Sequence, residues 1–117
     1  MVNRWIGVTV DCLDPQLVAR FWSALLDRAP GPSQPGWVYL GSRDDAQPRL
    51  VFQPVSEPKR DKVRLHLDVS VDDIEAGIAQ VVALGGRPTG ERHEYDEGVV
   101  VVMMDPEHHE FCLVQYY

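Results

Sequence analysis

The 117-residue sequence is short of three things: cysteine, lysine and long apolar runs. Its two cysteines, Cys12 and Cys112, lie too far apart to form a metal-binding spacing by themselves. They exclude a disulfide scaffold and are expected to be reduced, buried thiols. The longest apolar run, Val99 to Met104, falls far below the roughly 20 residues a membrane-spanning helix needs. Only Lys59 and Lys62 are lysines, and all basic residues together number 11 against 18 acidic ones, for a net charge of −7. Such a surface repels phosphate backbones and anionic bilayers, so neither nucleic acid nor membrane is an expected partner. The opening residues Met1-Val2-Asn3-Arg4-Trp5 carry no apolar core and no cleavage site of a signal peptide. A cytoplasmic protein is expected.

What is present describes an ordinary globular chain, 44% hydrophobic and 25% charged. The length suits a single domain spanning residues 1–117. Ile6, Val8 and Val10 alternate with Gly7, Thr9 and Asp11, which predicts a strand over Trp5 to Cys12. Asp14-Pro15 then offers an N-cap and a favourable first helical residue, and Leu17, Val18, Phe21, Trp22, Leu25 and Leu26 recur at helical spacing. Three prolines and two glycines make 28–36 a loop, followed by short strands at 37–40 and 50–55.

After the charged linker 56–62 the pattern restarts. A strand is predicted over Arg64 to Val71, with Leu65, Leu67 and Val69 on one face and His66, Asp68 and Ser70 on the other. Asp72-Asp73 opens a second helix with Ile74, Ile78, Val81 and Val82 as its stripe, closed by Gly85-Gly86. Strands at 87–95, 99–104 (buried on both faces) and 110–117 complete the chain. A shift of 59 residues lays Asp14 on Asp73, Val10 on Val69 and Gly7 on His66, the mark of an internal repeat. The expected fold is α+β: two tandem βαβββ modules, about 4–55 and 63–117, whose curved mixed sheets surround a cavity. The first module is expected to be incomplete, because the Pro-rich loop sits where its second strand belongs.

These residues carry a resemblance. Asp11-Cys12-Leu13-Asp14-Pro15, Phe21-Trp22-Ser23-Ala24-Leu25-Leu26, Val55-Ser56-Glu57-Pro58-Lys59, Arg64-Leu65-His66-Leu67-Asp68-Val69, Asp105-Pro106-Glu107 and Glu110-Phe111-Cys112-Leu113 occur in the order found in the vicinal oxygen chelate superfamily. That superfamily includes glyoxalases, bleomycin-resistance proteins and dioxygenases. The chain most resembles its actinobacterial glyoxalase-like branch. The resemblance implies a small-molecule ligand and a homodimer. Metalloenzyme members place ligands on the first and last strands of each module. Here those positions fall on Gly7, on Leu50 or Val51, on His66 and on Cys112. Gly7 and the apolar pair have no donor to offer, so no metal and no cofactor is expected.

His66 and Asp68, two residues apart on one strand, are the candidate catalytic pair: a carboxylate beside an imidazole orients it and raises its pKa. Packing of Leu65 and Leu67 on the helix would turn both toward the cavity. Thr9, Asp11, Gln53, Arg64 and Cys112 are candidate ligand-binding residues, whereas Lys59 reads as a solvated surface residue. Cys112 is expected to be inert, its pKa raised by nearby Glu110. His108 is expected to hold a left-handed turn position after Asp105-Pro106. His93 and His109 suggest no role. Three functions stay open: a metal-independent lyase or isomerase using His66 with Asp68, a binder that sequesters a drug or metabolite, and a metal-dependent lyase or dioxygenase.

Overall fold

The computed structural model describes residues 2–117; Met1, where the signal-peptide reading begins, lies outside them. The chain divides into two compact units, one ending at Pro58 and one beginning at Lys59.

The first unit holds β1 (Gly7–Cys12), α1 (Pro15–Leu26), β2 (Pro30–Gly31), β3 (Val38–Leu40) and β4 (Arg49–Pro54). Its sheet has the order β1-β4-β3-β2, with β1 parallel to β4 and the other pairs antiparallel. The Asp14 carboxylate caps α1 by accepting the Leu17 N–H at 3.2 Å, with Pro15 in the first turn. Val18, Phe21 and Trp22 bury the helix face together with Val38, Leu40, Leu50 and Phe52 of the sheet. Leu17, counted in the stripe, is instead largely exposed. The Pro-rich segment retains the second strand in reduced form. Pro30 and Gly31 pair with Leu40 and Tyr39, and prolines nearby, which lack an N–H, keep it to two residues.

The second unit repeats the plan with β5 (Asp68–Ser70), α2 (Ile74–Ala83), β6 (Arg87–Tyr95), β7 (Gly98–Met104) and β8 (Glu110–Tyr116), in the order β5-β8-β7-β6. Asp73 caps α2 through the Ala76 N–H, as Asp14 does in α1. The buried stripe of α2 is Ile74, Gly77 and Val81, and Val82 faces outward. On β7, Val99, Val101 and Met103 are buried, while Val100, Val102 and Met104 on the opposite face are half-exposed rather than buried.

The strand predicted over 64–71 shrinks to β5, and Leu65 is 93% exposed instead of packing on the helix. Upstream of Leu67 the chain has left the ladder. Lys59 Nζ pairs with Glu110 Oε1 at 2.7 Å, and the same oxygen lies 3.4 Å from the Val63 N–H. The side chain of a neighbouring strand therefore holds this segment, and alternation in the sequence does not encode that. Lys59 is thus a largely buried ion-pair partner, not a solvated residue. Burial opposes ionisation of Glu110, but the bonds from Lys59 and from backbone N–H groups outweigh it and hold its pKa below the usual value.

His108 occupies the left-handed region at φ 70, as the turn predicts. Its Nδ1 lies 2.8 Å from an Arg87 Nη, a contact the sequence does not suggest. Glycine at this position relieves a backbone cost of about 1 kcal/mol and forfeits an exposed hydrogen bond worth less. His108→Gly should raise the melting temperature by up to a few degrees. A fall in a thermal melt would show that the Arg87 contact outweighs the backbone term.

Candidate functional site

The parallel pairing of β5 with β8 sets Asp68 directly opposite Cys112. His66, just before β5, turns back onto the same side. Its Nδ1 lies 3.1 Å from Asp68 Oδ1, with the two side chains 44% and 61% exposed. His66 and Asp68 therefore meet as their spacing predicts, whereas Leu65, whose expected packing on the helix would turn both toward a cavity, is exposed. One donor atom from each of His66, Asp68 and Cys112 falls within 4.8 Å of the others.

Cys112 is buried, and burial pushes its thiol pKa up, reinforced by the charge of Asp68, a hydrogen bond with it and the charge of Glu91; Lys62 opposes. The thiol thus stays protonated at neutral pH and is not a ready nucleophile. Glu110, the neighbour expected to raise it, is engaged by Lys59 instead.

Register carries this face across the sheet. Cys112 pairs with Val102, Val114 with Val100, and Val100 with His93, so these side chains project from one side. His93 has the partner the sequence did not reveal: its Nε2 lies 2.7 Å from Glu91 Oε2, and its ring stacks on Tyr95 at 6.3 Å. Residues 91, 93 and 95 alternate on a strand, which is a legible signal in hindsight. The irregular pairing between Pro88 and Arg92 obscures it by setting Glu91 outside the regular ladder. The open face of the second unit thus carries two imidazole–carboxylate pairs flanking a floor of Val100, Val102 and Val114.

In the first unit Thr9, Asp11 and Gln53 share a face, and Gln53 Nε2 donates to Asp11 Oδ1 at 2.7 Å. Arg64 lies outside any strand and is exposed. The ladders also choose between the two residues that the resemblance offers for the last strand of the first unit. Thr9 opposes Val51 as Asp68 opposes Cys112, so Val51, not Leu50, is the counterpart of Cys112. The four positions are therefore Gly7, Val51, His66 and Cys112. Two lack a donor atom, and the four-ligand set of the metalloenzymes does not fit this chain.

Comparison with known proteins agrees with this architecture. The family model described as a glyoxalase-like domain matches residues 7–114. No curated protein matches. Among solved structures, a glyoxalase/bleomycin resistance protein/dioxygenase family enzyme from Burkholderia phytofirmans PsJN superposes with a TM-score of 0.74 at 15% identity, covering 95% of this chain and 97% of its own. The fosfomycin resistance protein FosX from Mesorhizobium loti gives 0.74 at 15% identity, covering 100% and 95%. Oxidase ChaP-H1 gives 0.70 at 23% identity, covering 99% and 98%. Two repeated βαβββ units, with this strand order and a family model spanning nearly all of them, lead to one conclusion: the chain belongs to the glyoxalase-like domain family of the vicinal oxygen chelate superfamily.

Proposed function

We propose that the chain binds a small molecule at the open sheet face of its second unit and that His66, oriented by Asp68, exchanges a proton with it. The observation that carries this reading is the 3.1 Å contact between His66 Nδ1 and Asp68 Oδ1 on an accessible face. A carboxylate at Nδ1 fixes the tautomer and leaves Nε2 free to face a ligand as base or acid. The protonated Cys112 thiol beneath Asp68 and the apolar floor beyond it favour a ligand with an apolar body. An isomerisation takes a proton from one atom of the ligand and returns it to another, and an elimination takes a proton as the leaving group departs to solvent; both use such a base. Sequestration without turnover would use the same contacts. A homodimer in the cytoplasm completes the reading.

A second reading rests on the three donors within 4.8 Å. His66, Asp68 and Cys112 together would suit zinc, which accepts nitrogen, oxygen and sulfur ligands and acidifies a bound water. Zinc must then displace the Cys112 proton that burial and Asp68 retain.

One variant tests the main reading. His66 is exposed, so His66→Ala should leave the melting temperature within about 2 °C of the parent. Across a panel of metabolites and drugs, any compound that stabilises the parent should lose its stabilising effect in the variant. Undiminished stabilisation of His66→Ala would overturn the assignment. For the second reading, stoichiometric zinc uptake that disappears in both His66→Ala and Cys112→Ser is the supporting result, and no uptake by the parent refutes it.

A further inference from the structure

The first unit carries an arginine that is out of keeping with the rest of the chain. Arg49 is half-buried on β4, on the face that also bears Thr9, Asp11 and Gln53. Acidic groups outnumber basic ones here, and the other half-buried cations have taken carboxylates: Arg28 with Asp45 and Lys59 with Glu110. Among the described residues no carboxylate lies within ion-pair distance of Arg49. Its guanidinium instead sits over the Tyr39 ring, 4.5 Å from the centroid. Trp37 meets Tyr39 edge to face, with centroids 6.5 Å apart.

Three consequences follow from elementary chemistry. A guanidinium partly withdrawn from water and unpaired keeps a positive potential that favours an anion. The aromatic face holds the guanidinium in place, so less rotamer freedom is lost when its N–H fork meets an oxyanion. Finally, the cross-strand neighbour of Arg49 is Gly7, which sets no side chain next to it on this face.

We infer that Arg49, with Tyr39 and Trp37, forms an oxyanion-binding subsite for a ring-bearing small molecule, whose carboxylate or phosphate meets the guanidinium fork while its ring lies against the aromatic pair. The subsite stands independently of the proton-transfer role of His66, since it rests on residues of the other unit.

Calorimetric titration of the intact protein with benzoate, phenyl phosphate and the neutral isostere benzamide tests it. At least one of the two anions should bind saturably and about tenfold or more tightly than benzamide. The tighter anion identifies the oxyanion. Arg49→Gln should abolish the preference. Arg49→Lys, which keeps the charge but not the planar fork, should weaken binding several-fold and serves if the glutamine variant does not fold. His66→Ala should bind both anions as the parent does. Three results would each overturn the subsite: no saturable binding of either anion up to about 10 mM, equal binding of benzamide, or unchanged anion binding in both Arg49 variants.

Discussion

Replacing Asp105 by alanine should destabilise the protein by about 3–5 kcal/mol and lower its melting temperature by roughly 10 °C or more. Among the described residues, Asp105 is the buried charged residue of the core, 1% exposed. Its Oδ1 accepts the backbone N–H groups of Glu107 at 2.9 Å and His109 at 3.1 Å. Its Oδ2 lies 2.8 Å from His109 Nδ1. One carboxylate thus organises the turn that joins β7 to β8. Alanine leaves two backbone donors and an imidazole without this acceptor, in a place that water reaches poorly. Asp105→Asn keeps an acceptor oxygen for the backbone groups and loses the charge and the acceptor that faces His109 Nδ1, so its loss should be about half as large. Urea unfolding midpoints of the two variants check this. Equal stability of Asp105→Ala and the parent would mean that the turn is held by other contacts.

The second large effect is steric. Gly98 opens β7 opposite Tyr116, and a Cβ built on it would lie 2.3 Å from the Gln115 carbonyl oxygen and 3.1 Å from the Tyr116 Cα. Both are backbone atoms of a paired strand and cannot rotate aside. Gly98→Ala must therefore push β8 away from β7 at this end, at a cost of about 2–4 kcal/mol. Gly90 is the natural control. It has φ +95 and open space around its Cβ position, so Gly90→Ala carries only the backbone penalty of about 1 kcal/mol. Thermal melts should rank Gly98→Ala well below Gly90→Ala. The reverse order would show that the β7–β8 end yields easily.

Particular residues show why the sequence revealed the fold better than the site. Asp14-Pro15 and Asp72-Asp73 announce two helices through local chemistry: a carboxylate able to cap is useful nowhere else in such a pattern. The repeat then delivers the architecture without any tertiary information. The two-residue strand β2 was hidden because Pro and Gly, which read as a loop, still allow a short edge pairing. The surroundings of His66 were only half legible. Its nearness to Asp68 follows from spacing, but the contact of Asp68 with Cys112 depends on parallel register between distant segments. Lys59 with Glu110, His93 with Glu91 across an irregular strand, and Arg49 over Tyr39 share that difficulty, because each turns on a bulge, a linker path or a neighbouring strand.

The shortness of β5 bears on how long the site persists as well as where it lies. In each unit the first strand pairs in parallel with the last, as Asp11 does with Gln53 at a separation of 42 residues. Such a ladder closes late in folding, after the hairpins, because the intervening chain must first be gathered. In the second unit that late ladder is only three residues long and lies at the sheet edge. It is therefore the piece most easily released by local opening while β6, β7 and β8 stay zipped. Amide hydrogen exchange should run faster at β5 than along β7. Each opening separates Asp68 from Cys112, so the face that would hold a ligand is assembled and dismantled many times within the life of one folded molecule. A ligand that bridges the two strands would then show itself first as slowed exchange at Val69 and Ser70.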